Sequence, residues 1–155
     1  MLVRIEGANL IGATRLRRSL EAPRHARAAV AWWLAADHPV LGDAQQVVTE
    51  LVANACTHVE GGPHREWVTE SIGRGVDCLR IEVADPGALA SEPHLPENLA
   101  LDGESGRGMR IVQELSGGRW GTYVTTAGHR VVWTDLGQPP VSDVGASGLS
   151  GRWRR

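Results

Sequence analysis

The chain has no lysine and no phenylalanine, so arginine alone carries its fixed positive charge. Without lysine there is neither a Schiff-base amine nor a P-loop lysine to grip phosphates. Cysteine is nearly absent too: Cys56 and Cys78 have neither a metal-ligand spacing nor the density of a disulfide framework. No apolar run approaches the length needed to cross a bilayer. The stretch 2–11 is broken by Arg4, Glu6, Gly7 and Asn9, so it lacks the apolar core of a secretory signal. A dominant charge is also missing, since 16 basic and 18 acidic residues leave a net charge of −2. That balance creates no field to attract nucleic acid or an anionic membrane. These absences lead to the expectation of a cytoplasmic protein with no direct nucleic-acid partner and no membrane partner.

What is present is enough for one domain. A chain of 155 residues can bury a core. Residues 1–13 read as a flexible leader and 14–20 as a short edge strand. Pro23 suits the first turn of a helix that Ala26, Ala29, Val30, Trp33 and Leu34 carry to about Ala36. Asp43 is a candidate N-cap for a second helix ending near Gly61. Two alternating segments, 65–72 and 78–84, flank a Gly-rich joint and read as a hairpin. Residues 88–105 are long enough for a lid or binding loop. A short helix at about 107–115 and a second hairpin, 120–126 with 129–136, complete the domain at 14–136. Gly137 onward is rich in Gly, Pro and Ser and reads as a disordered tail.

The second helix carries the first chemical signal. Gln46, Glu50, Asn54 and His58 form a polar column, while Val47, Leu51 and Ala55, and beside them Ala44, Val48, Val52 and Cys56, are apolar. Residues four apart stand nearly above one another on a helix. A carboxylate and an amide oxygen one turn apart can share a hydrated Mg²⁺ with substrate phosphates or hold a water between them. A plain solvated face usually mixes acids with bases; this one has an acid and no base.

Two further segments complement that column. Asp85-Pro86-Gly87 places a carboxylate at a strand end, able to accept from an exocyclic amine, beside a glycine that lets a ring approach the backbone. Gly106-Arg107-Gly108-Met109 opens an apolar helix, whose free N–H groups and dipole favour phosphate. It is not a dinucleotide fingerprint, because the Gly-x-Gly-x-x-Gly pattern is incomplete and no strand immediately precedes it.

Taken in order, Glu50-Leu-Val-Ala-Asn54, Val83-Ala-Asp85-Pro-Gly87 and Glu104-Ser-Gly106-Arg107-Gly108-Met109 resemble the N, G1 and G2 boxes of GHKL-type ATPases. More narrowly, the chain resembles the small stand-alone domains related to anti-sigma-factor serine kinases, and Arg119-Trp120-Gly121 and Arg130-Val131-Val132-Trp133 resemble that family's C-terminal hairpin. The resemblance spans about residues 20–136. It implies an α+β Bergerat fold: a two-layer sandwich with a mixed, mostly antiparallel sheet and helices on one face. It implies ATP and Mg²⁺ as cofactors, with Glu50 as general base, Asn54 as Mg²⁺ ligand and Asp85 as adenine anchor. Gly87 would be the close-approach glycine, Gly106, Arg107, Gly108 and Met109 would close over the phosphates, and His58 would contact lid or phosphate.

As partners, the resemblance implies a sigma-factor-like client and an antagonist phospho-acceptor protein. Ala31-Trp32-Trp33-Leu34 is a candidate homodimer interface, although at least one of these adjacent tryptophans should be buried. The chain departs from the family pattern at Leu89, where a second glycine is usual, at Thr57, where relatives often have arginine, and at Val131, where a threonine hydroxyl usually supports the adenine-binding Asp. The expected consequences are altered lid hinging from Leu89, a changed surface near the helix end from Thr57 and weakened nucleotide affinity from Val131, and an alternative function is a nucleotide-sensing interaction module with little or no kinase activity.

Overall fold

The structure is a computed structural model and describes residues 5, 7–57, 66–85 and 106–137. Its elements are β1 (Asn9–Arg17), α1 (Ala22–Trp33), α2 (Leu41–Thr57), β2 (Trp67–Arg74), β3 (Leu79–Asp85), α3 (Gly106–Ser116), β4 (Trp120–Val124) and β5 (Arg130–Leu136). The strands form one sheet in the order β1-β2-β3-β5-β4, and all four pairings are antiparallel. The expected α+β sandwich is therefore present, with a sheet more uniform than the mixed one anticipated.

Alternation on the strands separates the two sheet faces. Val68 and Ile72 on β2, Leu79, Ile81 and Val83 on β3 and Leu136 on β5 join a core completed by Ala22, Ala26 and Val30 of α1, Val47, Val48, Leu51 and Val52 of α2, and Met109 and Val112 of α3. All three helices thus cover one face, with α2 packed against both other helices and the central strands. The apolar columns of α2 are buried as its pattern predicts, while Gln46 is exposed and Glu50 and Asn54 are half-buried.

Several boundaries differ from the sequence reading, each for a local reason. Strand β1 starts at Asn9, so residues 9–13, read as leader, lie in the sheet, and Ser19 and Leu20 lie outside it. Its extent is set by pairing along β2, with an irregularity between Leu10 and Gly12, rather than by its own weak alternation. Gly12 is required there because a Cβ would collide with the Trp33 ring. Trp33 packs against the core while Trp32 is 87% exposed, so adjacent tryptophans take opposite environments.

Helix α1 stops at Trp33, with Leu34 extended, and α2 begins at Leu41. Asp43 is therefore in the first turn of α2 rather than capping it, where its charge still suits the positive helix end. The entry is shaped by His38, whose carbonyl accepts from Leu41 N–H and whose Nδ1 accepts from Val40 N–H. At the far end of α3, Gly117 and Gly118 both take left-handed φ, and Gly118 N–H closes onto the Gln113 carbonyl.

Candidate functional site

Helices α2 and α3 meet where the sequence places its polar groups. A Cβ built on Gly108 would lie 2.5 Å from Glu50 Oε2 and 3.5 Å from Glu50 Cβ, so the α3 backbone runs directly against the Glu50 side chain. Only glycine permits that approach without displacing the carboxylate. Asn54 stands one turn further along α2, half-buried on the same column. The first-turn N–H groups of α3, which begins at Gly106, have no partners within the helix. Glu50 thus stands beside a helix N-terminus suited to phosphate oxygens.

Gly106 and Gly108 are buried and Arg107 is exposed. Met109 differs from expectation in its side chain, which is 1% exposed and packs in the hydrophobic core. It seats α3, and only its backbone can face a ligand. His58 and Gly87 lie outside the described residues, as do Leu89, the loop 88–105 and the tail from 138 onward.

Asp85 ends β3 on the helix-covered face, sharing the parity of Leu79, Ile81 and Val83. Arg130 is its register partner on β5, and Arg130 Nε donates to Asp85 Oδ1 at 3.2 Å. The side chains are 24% and 11% exposed, so little water screens the pair. Val131, one residue on, is paired with Ala84 and buried, and it stands outside the main core cluster because it faces the other side of the sheet. In this register a hydroxyl at position 131 would point away from Asp85. The expected weakening through Val131 therefore does not follow from the geometry: the β5 group on the side of Asp85 is Arg130. Nothing local in the sequence marks Arg130 for this role, since only the β3–β5 register reveals it.

A second acid also escaped the sequence reading. Glu70 on β2 is completely buried between register partners Thr14 and Val83, on the helix-covered face. Neither of its oxygens has a hydrogen-bond partner among the described residues. Burial pushes its carboxyl up to about 8, so it is held largely protonated at neutral pH. No local pattern marks it; Glu70 looks like any polar residue in an alternating strand. The two thiols are not activated nucleophiles, because burial raises both Cys56 and Cys78.

On the opposite face Arg80 grips Asp135 through Nε at 2.6 Å and Nη2 at 2.9 Å while lying over Trp133 at 4.4 Å. Tyr123 OH donates to Glu82 at 3.0 Å. These pairs tie β3 to β5 and β4 across the sheet without approaching the α2–α3 junction.

The family model of the histidine kinase-like ATPase domain matches residues 16–131, three-quarters of the chain. The chain belongs to this family. The Bergerat sandwich of the histidine kinase-like ATPases accounts for the helix-covered sheet and for the meeting of α2 with the start of α3. Among solved structures, the chain is similar to the histidine kinase domain of the E. coli osmosensor EnvZ, determined by NMR. The two are 15% identical, with a TM-score of 0.41, over 94% of this chain and 99% of that one. No curated protein matches the sequence.

The donor set of this histidine kinase-like domain fits Mg-nucleotide. The Asn54 amide oxygen suits Mg²⁺, which keeps waters and substrate phosphates in its shell. Bound Mg-ATP would supply the transferable phosphoryl group and neutralise its charge. With Mg-nucleotide bound, Glu50 would be the group to take a proton from a hydroxyl or water, Asn54 would offer its amide oxygen to the ion, and Asp85 would accept from the base. Among the described residues no helix is long and apolar enough to cross a membrane.

Proposed function

We propose that this chain is a Mg-ATP-binding regulatory protein of the anti-sigma-factor kinase type. In this reading it phosphorylates a serine or threonine on an antagonist protein and controls a sigma-factor-like client. The observation that carries the proposal is the contact of Gly108 with Glu50, which joins a candidate base to a phosphate-favouring helix start. Family membership and the position of Asp85 on the helix-covered face support a nucleotide as ligand. Phosphoryl transfer asks mainly for positioning and charge neutralisation, which these groups are suited to supply.

The test has two stages. Calorimetric titration should show saturable ATP binding that strengthens with Mg²⁺ and drops about tenfold or more in Asp85→Asn, the loss of one charged hydrogen bond. Labelled ATP should then transfer its γ-phosphoryl group to a small antagonist domain, and Glu50→Ala should abolish transfer while ATP still binds. No binding by the wild type at millimolar ATP would end the proposal. Binding with no transfer to any antagonist would leave the alternative, a nucleotide-dependent interaction module.

A further inference from the structure

We propose that Arg130 is a positioning residue for purine recognition, fixing the orientation and charge of the Asp85 carboxylate that receives the exocyclic amine. The inference rests on the reading of Asp85 as the adenine anchor and adds how this chain holds that anchor.

A carboxylate recognises an amine well only if it is ionised and held in one orientation. A side chain at a strand end, followed directly by Pro86, needs a tether to achieve this. Position 131 cannot supply one, because Val131 is apolar and faces away across from Ala84. Arg130 can: it lies directly opposite Asp85 in register, on the same face, and donates from Nε to Oδ1 at 3.2 Å. Opposed side chains on one face of an antiparallel pair are within direct reach.

The position of Arg130 is itself fixed. The preceding turn is closed by Thr125 N–H to the His129 carbonyl at 2.8 Å, Gly128 N–H to the Thr125 carbonyl at 2.9 Å and His129 N–H to Thr125 Oγ1 at 3.0 Å. Strand β5 thus starts at one place, and Arg130 meets Asp85 without further adjustment. The guanidinium's planar fork resists rotation and keeps its charge at any working pH.

The experiment compares ATP with inosine triphosphate, which carries a carbonyl oxygen where ATP carries the amine. Both are titrated with Mg²⁺ into wild type, Arg130→Met, Arg130→Gln and Arg130→Lys, with thermal melting as the check on folding. Wild type should prefer ATP. Arg130→Met should lose about tenfold in ATP affinity, the scale of one charge-assisted hydrogen bond. Its inosine triphosphate affinity, carried by phosphates, should hold, so the preference collapses. Arg130→Lys should retain most of the preference and Arg130→Gln an intermediate part, which keeps the test open if the methionine variant unfolds.

An unchanged ATP-to-inosine triphosphate ratio in folded Arg130→Met or Arg130→Gln would overturn the assignment. So would tighter ATP binding, which would make Arg130 a competitor for Asp85. If wild type binds neither nucleotide, the nucleotide-binding proposal falls and takes this one with it; if wild type binds and the variants match it, only this one falls.

Discussion

Glu70 shows how one residue can set the pH response of a fold. Its carboxyl, pushed by burial from the usual 4.5 up to about 8, keeps a proton in the folded chain that the unfolded chain releases. Between these values the folded state binds more protons, so stability falls as pH rises, by at most about 1.4 kcal/mol per pH unit. The stabilising proton is fully in place on both states below the lower value, and the cost is complete above the upper one. Urea denaturation from pH 5 to 8 should show this decline in wild type and a much shallower one in Glu70→Gln. Equal slopes in the two proteins would mean Glu70 is solvated. Because neither oxygen has a partner among the described residues, Glu70→Met should stabilise the fold at pH 7 by about 1–3 kcal/mol. Glu50 and Asn54 were legible at this scale because a helix reports its own periodicity. Arg130 and Glu70 were not, since their significance depends on what lies across the sheet and above it.

The junction of α2 and α3 is where elements, rather than residues, make the site. Gly108→Ala adds a methyl that meets the free end of the Glu50 side chain at 2.5 Å, so the carboxylate should swing aside while the helices stay packed. Helix α3 should keep or slightly gain stability, as alanine favours helix over glycine by roughly 1 kcal/mol. Phosphoryl transfer should fall on the order of a hundredfold, the usual consequence of about 1 Å misplacement. The check is a melting curve beside a label-transfer assay; full transfer by this variant would remove Glu50 from the base role. The hairpins and α3 were readable from alternation and glycine punctuation. Strand β1 was not, because an edge strand whose face is partly polar takes its limits from its partner, here Trp67–Arg74.

At the scale of the whole molecule, a ligand held between α2, α3 and the ends of β3 and β5 should couple to global stability. Mg-ATP at a hundred times its dissociation constant should add about 2.7 kcal/mol. For a domain of this size that corresponds to a rise in melting temperature of roughly 5–10 °C. Calorimetric scans with and without Mg-ATP would measure it. Absence of a shift at saturating nucleotide would mean that the folded state does not bind it in preference to the unfolded one.

The amino-acid sequence by itself determined the ingredients: two hairpins, a polar column on one helix, a strand-end acid and a glycine-led helix. These follow from local periodicity and backbone freedom, which act within a few residues and can be read along the chain. Only the tertiary structure decided that Gly108 lies on Glu50, that Met109 is core, that Val131 turns away from Asp85 and that Arg130 holds it. Each of these depends on strand register or helix packing between distant segments. A shift of one residue in register would carry Arg130 to the other face of the sheet.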